Sequence, residues 1–178
     1  MNTYTGKISG AHQRIGIVVV QFNDLVTTRL LNGALTALKQ FGVADTDITV
    51  TWVPGALELP RAAKLMAASG KVDGIIALGA VVRGETSHYD YVCANTASGL
   101  ADVSLNGSVP VMFGVLTTDT MDQAMNRAGG KAGNKGSECA SGVLEMIHLG
   151  DWIAQQLHCP LHRRVGDRRL FFVGQRSI

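Results

Sequence analysis

The segment GAVVRGETSHYDYV, Gly79 to Val92, gathers the residue types with the greatest chemical reach in this chain. An apolar run, Ile75 to Val82, feeds a short loop carrying Gly84, Thr86, Ser87 and His88, and a helical pattern begins near Tyr89. A strand, a glycine-containing loop and a helix start leave backbone N–H groups free to hold an anion. His88 brings to that point the one side chain whose ordinary titration falls near neutral pH. An anion seat beside a proton carrier predicts an enzyme acting on a small phosphorylated substrate.

Other chemistry-bearing residues are less suggestive. His12, His148, His158 and His162 are scattered, and no metal-ligand spacing joins them, so no metal site is expected. Cys93, Cys139 and Cys159 are odd in number and lack CxxC spacing, so they neither make a disulfide framework nor suggest a zinc site. Cys93 and Cys139 fall in helical patterns, where a small buried thiol is the plainer reading. Neither GxxxxGK[ST] nor GxGxxG is present, so nucleotide cradling has no support. Nothing calls for a cofactor.

The elements that must position these residues alternate. Ile15 to Gln21 reads as a buried strand, rich in β-branched residues. Asn23 and Asp24 then offer caps for a helix with apolar residues at Leu31, Ala34, Leu35, Leu38 and Phe41, closed by Gly42. Ile48 to Val53 is a second strand, broken by Pro54-Gly55, and Leu59 to Ser69 a second helix. Ile75 to Val82 and Val111 to Leu116 are further strands, and Tyr89 to Leu105 a helix between them. Thr120 and Gln123 have capping-box spacing for a helix ending near Ala128. A loop from Gly129 to Gly136 precedes a long helix, Ser137 to about Leu157. Strand–helix alternation predicts a four-stranded parallel sheet between helical layers, an α/β flavodoxin-like three-layer sandwich. Ligands in such folds sit outside the carboxyl ends of the strands, where Phe22, Gly55 to Glu58, Val81 to His88 and Phe113 to Leu116 are expected.

Composition sets the bounds. The 178 residues suit one domain able to bury its own core, with 46% hydrophobic and 17% charged residues. No apolar run spans a bilayer, and the polar amino end lacks an h-region, so a cytoplasmic protein is expected. Net charge is +2 but uneven. Residues 159–178 hold five arginines and one acid, Asp167, for +4, leaving the rest at −2. A mildly acidic body is not a nucleic-acid surface. We read residues 1–158 as the domain and 159–178 as a basic, disordered appendage, with a weak strand at Leu170 to Val173.

Five pieces together resemble the lumazine synthase family: Phe22-Asn23, VPGALELP (Val53 to Pro60), GAVVRGETSHYDYV, FGVLTTD (Phe113 to Asp119) and NRAGGKAGNKGSE (Asn126 to Glu138). The likeness runs in order over about residues 8–157. It implies condensation of 5-amino-6-(D-ribitylamino)uracil with 3,4-dihydroxy-2-butanone 4-phosphate, the penultimate step of riboflavin biosynthesis. The resemblance makes Phe22 the stacking partner of the pyrimidine. Ala56, Leu57 and Glu58 would line the ribityl chain, and Ala80, Val81, Val82 and Phe113 would border the pyrimidine. Glu85 and Thr86 would offer backbone N–H groups to the phosphate, Arg127 would pair with it, and His88 would transfer protons. Lys135 would lie in a loop approaching the pyrimidine. It also implies a homo-oligomer with sites between adjacent subunits, a pentamer or in some members a 60-subunit capsid. Riboflavin synthase is a candidate partner.

Leu57 stands where an aromatic is common, leaving apolar contact without stacking, and Gly130 replaces a frequent threonine, which predicts a more flexible loop. Plainer readings stay open beside these. Phe22 could be core, Glu58 could serve the positive end of a helix, Arg127 could complement a helix dipole, and Lys131 and Lys135 could be solvated. Arg83 could point away, toward a neighbouring subunit. Trp52 and Trp152 read as packing residues. A non-catalytic phosphate binder and a purely structural shell protein are the rival functions.

Overall fold

The computed structural model describes residues 1–156. The expected domain end at residue 158, the basic tail and the Leu170 to Val173 strand lie outside them. Among the described residues six strands and five α-helices follow in the order β1 (Ile15–Val20), α1 (Asp24–Gln40), β2 (Ile48–Val53), α2 (Leu59–Ala68), β3 (Gly74–Val82), α3 (His88–Asn106), β4 (Val111–Thr118), α4 (Met121–Arg127), β5 (Ala128–Gly130), β6 (Gly133–Asn134) and α5 (Lys135–Gln156). The main sheet is all parallel in the order β2-β1-β3-β4, the doubly wound flavodoxin-like order.

Period-two alternation divides the core. Ile15, Ile17 and Val19 of β1 face one cluster, with Val26, Leu30 and Leu38 of α1 and Val143, Leu144 and Ile147 of α5. Val18 and Val20 face the other, with Leu59 and Ala63 of α2 and Val92, Leu100 and Val103 of α3. Every residue of β1 is therefore buried, which is why it reads as an unbroken β-branched run. β2 is an edge strand and its burial is mixed. Trp52 on it is 43% exposed, so the packing role expected there is only half met. Trp152 does pack, stacking on Tyr4 with ring centroids 4.6 Å apart.

Three local departures matter for the site. Asn23 does not cap α1 through its side chain; it takes a left-handed conformation, φ 59°, and its amide donates to the Ala80 carbonyl at 2.9 Å. That bond ties the exit of β1 to the exit of β3, across the point where the strand order reverses. β4 runs on to Thr118, because threonine is a good strand former and Thr118 accepts the Arg83 N–H at 2.9 Å. Phe113 consequently pairs in register with Ala77, while Leu116 pairs with Ala80. Three residues of strand span about 10 Å, so Phe113 is not at the carboxyl end as expected. The presumed Gly129 to Gly136 loop contains an antiparallel hairpin, β5–β6. A Cβ on Gly130 would meet Asn126 Cα at 2.7 Å, so close packing and not looseness distinguishes this position.

Candidate active site

A cavity of about 510 Å³ opens at the carboxyl edge of the sheet. Each strand exit supplies part of its wall. β1 contributes Val20, Phe22 and Asn23; the break after β2 contributes Pro54 to Glu58; β3 contributes Ala80, Val81 and Val82. Gly84 and Thr86 of the following loop, and His88, Tyr89 and Val92 of α3, close the far side. Of the thirteen candidate residues, the structure thus brings Phe22, Ala56, Leu57, Glu58, Ala80, Val81, Val82, Thr86 and His88 together here.

Exposure separates the roles open to these side chains. Phe22 is 71% exposed and Leu57 47% exposed at the cavity, so neither is core. Ala56 and Ala80 are buried and form the floor. Glu58 stands at the N-cap position of α2 but makes no cap hydrogen bond. A Cβ on Gly55 would come within 2.9 Å of Glu58 Oε2, so the carboxylate folds back over Gly55. A carboxylate in that place accepts hydrogen bonds from ligand hydroxyls.

His88 is the first residue of α3, and its N–H donates to Thr86 Oγ1 at 3.4 Å. Among the described residues no acceptor takes the N–H groups of Glu85, Thr86 or Ser87. These amides, at the positive end of a 19-residue helix, form an anion seat. Glu85 is exposed in that loop and does not line the cavity.

Arg83, next to the loop, is committed to its own chain. Its guanidinium contacts Asp119 Oδ1 at 3.1 Å and Asp90 Oδ1 at 3.2 Å and lies 4.1 Å from the Tyr89 ring centroid. Partial desolvation works against its charge, yet the bonds to Asp119 and Asp90 outweigh it and raise its pKa. Burial raises the Tyr89 phenol, and Cys93 adds to the effect against opposing contributions from Thr117 and Arg83.

Phe113, Arg127 and Lys135 do not line this cavity. Phe113 is 36% exposed on the outer strand β4. Arg127 is the basic residue in the last turn of α4, and it also donates to the Ala132 carbonyl at 2.8 Å and pairs with Glu138 at 3.2 Å. Lys135 pairs with the same carboxylate at 3.1 Å. Burial alone would raise the Glu138 pKa, but hydrogen bonds from Lys135 and Arg127 prevail and hold it below the ordinary carboxylate range. Two cations and an exposed aromatic are thus presented away from the cavity on the same chain.

The sequence reading missed Val20, Asn23, Pro54, Tyr89 and Val92 as cavity residues. Tyr89 was legible in principle, since it follows His88 into the first helical turn. Asn23 was not, because its side chain bonds to a carbonyl 57 residues away. Cys139 is buried, with its pKa pushed up to about 11 by desolvation, and takes no part in the cavity. Among the described residues no cluster could hold a metal ion, and no helix is long and apolar enough to cross a membrane.

Comparison with known proteins agrees with this geometry. The profile of the 6,7-dimethyl-8-ribityllumazine synthase family matches residues 12–151. The chain is 58% identical to the 6,7-dimethyl-8-ribityllumazine synthase of Pediococcus pentosaceus over 156 residues, covering 88% of this chain and 100% of that relative. It is 57% identical to the protein of the same name from Levilactobacillus brevis over 142 residues, 80% of this chain and 90% of that relative. The strand-exit cavity, its exposed aromatic and the anion seat beside His88 thus sit inside the matched region, and the chain belongs to the 6,7-dimethyl-8-ribityllumazine synthase family.

Proposed function

We propose that this chain catalyses the riboflavin-pathway condensation of 5-amino-6-(D-ribitylamino)uracil with 3,4-dihydroxy-2-butanone 4-phosphate to 6,7-dimethyl-8-ribityllumazine, phosphate and water. The supporting observation is one cavity lined both by the exposed Phe22 and by Thr86 and His88, at the start of a helix whose leading loop amides have no acceptor among the described residues. Phe22 stacks on the pyrimidine while Ala80 to Val82 border it. Ala56, Leu57 and Glu58 receive the ribityl chain, with Glu58 accepting from its hydroxyls. The amides of Glu85 and Thr86 take the phosphate of the second substrate.

The reaction joins an amine to a ketone with loss of one water, expels phosphate and closes a ring with loss of a second. Orienting two reactants side by side is worth up to about 7–11 kcal/mol and is the larger share. His88, at the cavity wall, moves the protons each step requires. Phosphate leaves once its charge is held, a task for a planar, permanently charged guanidinium.

That guanidinium is Arg127, and it does not line the cavity of its own chain. We therefore infer that a second copy supplies Arg127, Lys135 and Phe113, so that each site is shared by adjacent protomers. The family likeness makes that assembly a pentamer, and the compact β5–β6 segment resembles members whose pentamers close into a 60-subunit shell. Riboflavin synthase, which consumes the product, is the enzyme partner we expect. The free thiols of Cys93 and Cys139 suit a reducing, cytoplasmic setting. Mixing both substrates with the purified protein and following lumazine fluorescence tests the reading. Emission no faster than the spontaneous background overturns it and leaves a phosphate binder in its place.

A further inference from the structure

The loop Gly84 to Ser87, which carries the anion seat and leads to His88, has little to hold its shape. All four residues are exposed, and no atom lies within 4 Å of where a Cβ on Gly84 would stand. The hydrogen bond from the His88 N–H to Thr86 Oγ1, 3.4 Å long, is weak. The loop's shape therefore depends on its ends, and both ends meet at one side chain. Arg83, the residue before the loop, donates through Nε to Asp119 Oδ1 at 3.1 Å and through a terminal nitrogen to Asp90 Oδ1 at 3.2 Å. Its guanidinium also lies over the ring of Tyr89. Tyr89 and Asp90 directly follow His88, so Arg83 closes the loop into a ring and fastens it to the β4–α4 turn through Asp119.

We propose that Arg83 is a positioning residue, whose guanidinium fixes the loop amides and the His88 imidazole relative to the cavity. The proposal rests on the function given above for what the loop binds, though the clamp itself does not. Arginine is the required type: one planar fork serves two carboxylates on different elements while its face stacks on an aromatic ring. A lysine has one nitrogen and no planar fork or face, so it cannot reproduce this arrangement. Arg83 is also unsuited to being a phosphate ligand, because Asp90 and Asp119 already engage it.

The test uses the full chain as Arg83→Lys, Arg83→Gln and Asp119→Asn, with steady-state kinetics for each substrate and amide hydrogen exchange across residues 84–88. Both arginine variants should raise KM for the butanone phosphate roughly tenfold or more, since small misplacements of a binding group carry costs of that order. KM for the pyrimidine, which meets the opposite wall, should stay near the parent value, and loop exchange should quicken while the melting curve barely moves. Asp119→Asn separates positioning from direct attraction. A loosened clamp raises the same KM, whereas a freed guanidinium acting on the phosphate lowers it. A lowered KM in Asp119→Asn, or parental KM and loop exchange in Arg83→Lys, overturns the proposal. Absence of product from the parent protein would instead remove the function, with loop exchange still deciding the clamp.

Discussion

Phe22 offers the cleanest separation of stacking from packing, because it is 71% exposed at the cavity rim. Phe22→Ala should leave stability within about 0.5 kcal/mol, as exposed substitutions do, which a denaturant titration will read. It should raise KM for the pyrimidine roughly 5- to 150-fold, the equivalent of about 1–3 kcal/mol per stacked base. His88→Ala should lower turnover about a hundredfold or less, the low end of general acid–base contributions, if orientation dominates the catalysis. A larger loss in single-turnover rates would make proton transfer the main term. Glu138 carries a pH prediction. Its folded-state pKa is depressed, so its contribution to stability is complete above the ordinary carboxylate value and disappears as pH falls through the depressed one. Thermal melts across that acid window should show the parent losing an advantage over Glu138→Gln that it holds at neutral pH. At this scale the sequence was a good guide wherever a residue's role depends on its neighbours in the chain. Asn23 escaped it, since its partner lies 57 residues away, and so did the Asp119 half of the Arg83 contacts, 36 residues away.

Strand and helix positions were legible where burial is two-sided or strictly periodic. β2 spans Ile48–Val53 as read, and the fully buried β1 differs only by Gln21. The capping pair before α4 was half legible: Thr120 Oγ1 accepts from the Gln123 N–H at 3.2 Å, but Gln123 returns its oxygen to the Asp119 N–H instead. Glycine-rich segments were the weak point, because a residue without a side chain does not announce whether it is loose or crowded. Gly130 is crowded against Asn126, so Gly130→Thr should destabilise the β5–β6 hairpin despite matching the family's usual choice. Gly114 is the stronger case. A Cβ there would meet Leu78 Cδ2 at 2.6 Å and the Ala77 carbonyl at 2.9 Å, with Cys139 Sγ at 3.2 Å. Gly114→Ala should cost about 1–3 kcal/mol of unfolding free energy, the usual penalty of overpacking.

Convergence of the strand exits on one cavity follows from topology, and so it was visible before any coordinates. The displacement of Phe113, Arg127 and Lys135 from that cavity was not, since nothing in a single sequence says which copy of a chain a side chain will serve. Mixing is the decisive measurement. His88→Ala and Arg127→Ala copies, each poorly active alone, should regain activity when unfolded and reassembled together, because some sites then pair an intact histidine with an intact arginine. No recovery in co-assembled material would confine each site to one protomer. The closing of the first core face by α5 has a further consequence. Val143, Leu144 and Ile147 cover strands made much earlier, among them Ile15 and Ile17. A nascent chain therefore carries a greasy flank until about residue 147 has left the ribosome. Translation halted before that codon should release a product destined for chaperones or proteases, however complete its loops at the opposite rim.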